Sequence, residues 1–181
     1  DLTGAVQNFQ HFVTYQNQMQ GRAQWLPWEF LVHVINHQTP DKEKYWALEN
    51  YLAKRVNFGQ CYKDVPYDYE MLKTGSQVCK LNGYEYSLPN LKSIGGVCAM
   101  QADFASRVGK SLGVPSEYVG GKSASGGNHA WVMWVEVKNV TKTSIAFSLE
   151  SYGRYRGDLY YVGTLKDPKS GKRITDRQLE L

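Results

Sequence analysis

Residues 95–136 read GGVCAMQADFASRVGKSLGVPSEYVGGKSASGGNHAWVMWVE, and the fold of the chain turns on this stretch. The glycine pair Gly95-Gly96 admits backbone conformations closed to other residues. After it, Val97, Phe104, Ala105, Val108 and Leu112 recur as one stripe of a helix. Gly113 and Pro115 stop that helix, as glycine and proline do just past a helix end. Cys98 is therefore expected in the first turn. Unpaired N–H groups and the positive end of the helix dipole favour a thiolate there, and the thiolate is the nucleophilic form of cysteine.

A second glycine-rich run, residues 121–128, leads into His129. It reads as a loop that delivers the histidine and can close over a site as a flap. His129, Trp131, Met133, Val135 and Val137 then alternate along one face of a strand. Residues 143–151 (TSIAFSLES) form a second β-rich run, with the turn at 138–142. Reflecting the first strand through that turn sets Glu150 across the ladder from His129, near enough for side chains to bond. Glu150 would fix the imidazole tautomer while the other ring nitrogen faces Cys98. Nucleophile, base and orienter make the general pattern of covalent catalysis. Each residue alone has an ordinary reading: a buried small hydrophobe, a hydrogen-bonded strand histidine, a solvated strand glutamate. Their order and contexts together favour the catalytic one.

The residues from 94 to 151 resemble the transglutaminase-like cysteine-enzyme superfamily. The likeness rests on GGVC-x-x-x-A-x-F with LGVP downstream, then NHAWV, then an acidic residue on the next strand. The resemblance implies a papain-like core and a Cys-His-Asp triad, with Cys98 as nucleophile and His129 as base. Glu150 stands where the family usually has aspartate. The family also implies a side-chain oxyanion donor from outside the nucleophile helix, for which Tyr86 and Asn90 are the candidates. The chemistry implied is acyl transfer or hydrolysis on a protein or peptide amide, as a protease, deamidase or transglutaminase, without a cofactor. A second reading is a non-catalytic module that binds peptide or serves assembly, since the longer glutamate arm displaces the imidazole.

The rest of the chain bounds these readings. Its 181 residues, 42% apolar, suffice for one domain with a real core. A formal charge of +4 is too mild to argue for nucleic acid. No apolar run approaches the ~18 residues of a membrane span. Cys61 and Cys79 read as buried free thiols; paired, they would close a short loop and imply an oxidising, extracytoplasmic compartment. No CxxC pattern suggests structural zinc, and no acidic cluster suggests calcium. His33 and His37 lie four apart without the intervening glutamate of a zinc helix, and read as structural.

Upstream, Val6, Phe9, Val13 and Met19 suggest the apolar face of a first helix, with His11 at a surface or seam. Trp28, Leu31, Val32 and Ile35 suggest a second helix, with Pro27 at its first position. Tyr45, Leu48, Leu52 and Val56 suggest a third, capped by Thr39. Residues 66–72 read as a short fourth helix whose Tyr67 and Tyr69 can rim a cleft. Residues 76–88 read as a hairpin about Asn82-Gly83. Residues 116–120 and 158–165 read as strands, and 175–178 as a helix capping box. The expectation is one α+β domain cut from a longer chain. Helices occupy 1–75, and a core over 76–165 packs the nucleophile helix on an antiparallel sheet of three to five strands.

Overall fold

Helix α6 (Cys98–Ser111) is the element around which the others gather. Its Ala102, Phe104, Ala105 and Val108 are fully buried, and it packs against two strands, an irregular 3₁₀ stretch and three other helices. The computed structural model describes residues 2–19, 25–75, 78–155 and 159–175; for 2, 3 and 161–165 it describes the backbone. In order come α1 (Leu2–Tyr15), α2 (Trp28–Ile35), α3 (Asp41–Tyr51), a 3₁₀ stretch (Leu52–Asp64), α4 (Tyr69–Thr74), α5 (Leu88–Ile94) and α6. The strands β1 (Ser116–Ser123), β2 (Asn128–Val140), β3 (Ile145–Tyr152), β4 (Tyr160–Lys166) and β5 (Arg173–Thr175) follow.

The protein is thus mixed α and β, with an antiparallel sheet in the order β3-β2-β1-β4-β5 among the described residues. The central strand β2 is buried on both faces. Ala130 and Val132 join the main core with Phe104, Val108, Leu88 and Leu91. Val135 and Val137 pack with Leu26, Phe30 and Leu31. A strand covered on both sides reads as a near-continuous apolar run, and AWVMWVEV does.

Several expectations shift. The flap shrinks to a tight turn. Strand β1 runs on to Ser123, whose N–H donates to the Gly127 carbonyl at 2.7 Å, so most of the glycine-rich segment is hairpin. The hairpin expected about Asn82-Gly83 is a turn without strands among its described residues. Asn82 N–H donates to the Cys79 carbonyl and Tyr84 N–H to the Leu81 carbonyl, both at 3.0 Å. Leu81 and Leu88 both enter the core, and Leu88-Pro89 begins α5, because proline is suited to a helical first turn. The segments 176–178 of the capping box and 158 of the last strand lie outside the described residues.

The helical phases of α1 and α2 also differ. Val6, Phe9 and Val13 are exposed while Asn8 and His11 are buried. Asn8 donates through Nδ2 to the Ile35 and His37 carbonyls and accepts from Lys44 Nζ at 2.7 Å. His11 Nε2 meets the Ser111 carbonyl at 3.0 Å, and burial lowers its pKa. These polar side chains satisfy carbonyls at the ends of α2 and α6, which the helices cannot satisfy themselves. In α2, Trp28 and Val32 are exposed and Val34 is buried; Pro27 sits one residue before the first turn. In α3, Pro40 holds the cap position, and Thr39 instead accepts from Arg107 Nε at 3.1 Å.

Arg107 and Glu43 join three helices. Glu43 on α3, 3% exposed, accepts from Arg107 Nη2 of α6 at 2.7 Å and from the Leu88 N–H of α5 at 2.6 Å. A buried carboxylate whose Oε2 takes both bonds holds α6 at a set height in the bundle. Removing it leaves the Leu88 N–H without its acceptor and takes from Arg107 the closer of two carboxylates, the other being Asp103 at 3.6 Å. Glu43→Ala is expected to cost about 3 kcal/mol of unfolding free energy, read by urea titration; a loss below about 1 kcal/mol would show that water replaces the carboxylate at little cost.

Candidate functional site

The site begins where the chain enters α6. Gly95 has φ 104°, and a Cβ there would lie 2.4 Å from the Pro66 carbonyl oxygen. Only glycine fits. Gly96 N–H donates to the Pro66 carbonyl at 2.9 Å, and Asp68 N–H donates to the Gly96 carbonyl at 3.0 Å. The segment 66–68 therefore pins the approach to the helix. The first intrahelical bond runs from Gln101 N–H to the Val97 carbonyl at 3.0 Å. The N–H groups of Cys98, Ala99 and Met100 are not consumed by the helix, and they point at its mouth with the half-buried thiol.

His129 is the second residue of β2, opposite Gly121 of β1. On the other side β3 pairs as far as Val132 with Tyr152. Gly153 then turns the chain away at φ 90°, and a Cβ on it would stand 2.7 Å from the Tyr62 ring. The departure of β3 leaves the Ala130 N–H and carbonyl without a partner on that side, and other groups take its place. Tyr62 Oη donates to the Ala130 carbonyl at 2.8 Å, while the Ala130 N–H donates to the Cys98 sulfur. His129 Nε2 donates to the Gly153 carbonyl at 2.5 Å. A carbonyl only accepts, so Nε2 carries the proton of the neutral ring and Nδ1 is the nitrogen with a lone pair.

The Cys98 thiol is hydrogen-bonded to the His129 imidazole, and that bond is the chief reason its pKa lies below the ordinary thiol value. Partial burial opposes the shift; the Ala130 N–H, the imidazole charge and the Ala99 N–H support it. Around the sulfur stand phenols. Burial first, and the nearby Cys98 sulfur second, raise the pKa values of Tyr62, Tyr67 and Tyr118. Tyr67 pairs with Tyr69 at 5.0 Å between ring centroids, at the rim expected for them. Tyr155 lies flat on the imidazole, 3.9 Å away and 10° from parallel. Trp131, on the same strand face as His129, packs at 6.1 Å; Trp134 faces the opposite side against Phe58 at 5.0 Å.

Cys98 and His129 are thus brought together from 31 positions apart in the sequence. Glu150 is not, and its expected role as orienter is corrected. It sits opposite Trp134, five residues along β2 from His129, a span of roughly 16 Å. Its carboxylate accepts from Ser148 Oγ at 2.6 Å and pairs with Lys138 at 3.2 Å, and those two contacts lower its pKa. The reason is the register. The chain reverses at Lys142-Thr143, where Thr141 N–H donates to the Ser144 carbonyl at 2.8 Å, later than the turn read from sequence. A bulge between Val137 and Asn139 adds a further slip. The oxyanion candidates are also engaged elsewhere. Asn90 Nδ2 donates to the Glu85 carbonyl at 2.9 Å, and Tyr86 Oη to Asp103 at 3.0 Å.

Residues at the site that were not singled out from sequence include Tyr62, Tyr118, Gly153 and Tyr155. The glycine that ends a β-rich run was the signal available for the last two. Among the described residues, no group of three histidine, cysteine or acidic side chains gathers to hold a metal. His33 bonds Glu117 at 2.7 Å and His37 bonds Thr39 at 2.7 Å. Cys61, Cys79 and Cys98 are all free thiols. No described helix is long and apolar enough to cross a membrane. No known protein family, characterised protein or solved structure matches this chain.

The reassigned partner of His129 has a direct consequence. Glu150→Gln is expected to leave the pH profile of Cys98 alkylation by iodoacetamide on that of the wild type. A profile moved toward the free thiol would restore Glu150 to the site.

Proposed function

We propose that this chain carries out cysteine-dependent acyl transfer or hydrolysis on protein or peptide amides, through a Cys98–His129 pair in which Glu150 takes no part. The observation that carries the reading is the thiol at a helix N-terminus, bonded to an imidazole whose far nitrogen is held by the Gly153 carbonyl. Catalytic cysteines are found in such electropositive, partly exposed surroundings. The transglutaminase-like resemblance of residues 94–151 points to the same chemistry.

The steps follow from the geometry. The thiol proton passes to Nδ1 of His129 and Cys98 Sγ attacks the amide carbonyl. The oxyanion forms beside the N–H groups at the mouth of α6, which are aimed where negative charge develops. Collapse breaks the C–N bond, and the imidazolium returns its proton to the leaving amine. Water then attacks the thioester, or a substrate amine does, with His129 again taking the proton. The first outcome is hydrolysis or deamidation and the second is cross-linking.

The alternative, a non-catalytic peptide-binding or assembly module, draws on one observation. Nε2 of His129 meets a neutral carbonyl, which stabilises an imidazolium less than a carboxylate does. The two readings separate at the thiol. With a lowered pKa, Cys98 remains thiolate as the pH falls below the ordinary thiol range, so its alkylation should stay fast there. In His129→Ala the chief cause of the shift is gone, and the rate should fall off at higher pH, as for a free thiol. Incubation with an electrophilic amide panel should add mass at Cys98. A wild-type profile coincident with that of His129→Ala would overturn the enzymatic reading, and undiminished peptide binding by Cys98→Ala would then favour the module.

A further inference from the structure

We infer that Tyr155 is a positioning residue for His129, its ring closing over one face of the imidazole. The inference rests on the Cys98–His129 reading above.

The geometry is specific. The two rings lie 3.9 Å apart and 10° from parallel, closer and flatter than the His129 contacts to Trp131 at 6.1 Å and Tyr160 at 6.2 Å. The sheet register explains how Tyr155 arrives there. Val132 faces Tyr152 and Trp134 faces Glu150; carried on without a break, the same ladder would set Tyr155 opposite His129. Gly153 breaks it at φ 90°. The turn presents the Gly153 carbonyl to Nε2 at 2.5 Å and lets the ring of Tyr155 lie on the imidazole from the same short segment. One three-residue turn thus supplies both an in-plane acceptor and an out-of-plane wall.

Tyr155 as a whole residue is 56% exposed. An aromatic that is more than half in water and yet flat against an imidazole contributes little to the core. What it does contribute is orientation, and an electron-rich face beside a ring that becomes cationic when it takes the thiol proton. Among the described residues, groups that face this centre include Tyr62 of the 3₁₀ stretch, Tyr67 before α4, Tyr118 of β1, Trp131 of β2 and Tyr160 of β4. Arg154 lies over the Tyr160 ring at 5.7 Å. Tyr62, Tyr67 and Tyr118 are held above the ordinary phenol pKa, so they keep their protons through the range in which Cys98 and His129 exchange theirs.

The test is alkylation of Cys98 by iodoacetamide in the full chain from about pH 4 to pH 9, resolved from Cys61 and Cys79 by peptide mass spectrometry. Tyr155→Ala should lower the rate on the acid side of the profile roughly two- to fivefold and move the midpoint toward that of a free thiol. Tyr155→Phe keeps the ring and should retain the wild-type profile. Urea titrations of both variants should match the wild type, as expected of an exposed side chain. The inference fails if Tyr155→Ala superimposes on the wild type, or if Tyr155→Phe falls with it. Failure of the underlying reading looks different: there, His129→Ala itself leaves the profile unmoved, and the positioning role goes with it.

Discussion

The site depends on the backbone of one residue, Ala130. Ala130 lies in the middle of a sheet, yet neither its N–H nor its carbonyl is bonded to a strand on the β3 side, because β3 has turned away at Gly153. An unpaired backbone group in a buried place is costly unless another group satisfies it. Here the carbonyl takes the Tyr62 hydroxyl and the N–H takes the Cys98 sulfur. The gap in the ladder is therefore filled by the mouth of α6 on one side and the 3₁₀ stretch on the other. Were β3 to continue past Tyr152, it would claim Ala130 and displace the thiol. Ending the strand there is what makes room for the chemistry.

The same departure accounts for what could and could not be read from the sequence. Cys98 and His129 were legible because each follows glycine and opens a periodic element, and local pattern decides such positions. Glu150 was misread because its place depended on counting across a turn. The reversal at Lys142-Thr143 carries no Asn-Gly or Asp-Gly signature, and a bulge after Val137 is silent in sequence. A slip of this kind is fatal to a cross-strand inference, since register sets every pairing beyond the turn. The converse happened at Asn82-Gly83. Its turn signal was strong and the turn exists, but the flanking residues go to the core and to the start of α5 rather than to two strands.

The misplaced faces of α1 and α2 have a different cause. Hydrophobic periodicity assumes that apolar residues seek the interior and polar ones leave it. In α1 the interior position is taken by Asn8 and His11, because the neighbouring helices end there with carbonyls to be satisfied. An unbonded carbonyl costs about as much as a buried methyl or two contributes, so polar residues that bond the helix ends can outcompete Val6 and Phe9 for the inner face. The consequence is an exposed apolar stripe on α1 whose existence follows from the polar network beneath it.

These points bear on how the thiol is activated. In a triad, a carboxylate stabilises the imidazolium, and the thiolate follows because its counter-ion has been made favourable. Here the far nitrogen of His129 meets a carbonyl, a dipole and not a charge. After the imidazole itself, the remaining favourable influences act on sulfur directly: the N–H of Ala130 across the cleft and the N–H of Ala99 in the helix, working against partial burial. Hydrogen bonds to a charged acceptor are the stronger kind, so two backbone donors on a thiolate add directly to what the imidazole does for it. That is a physical reason why Gly95 and Gly153, which set the two backbones, matter to the site as much as any side chain in it.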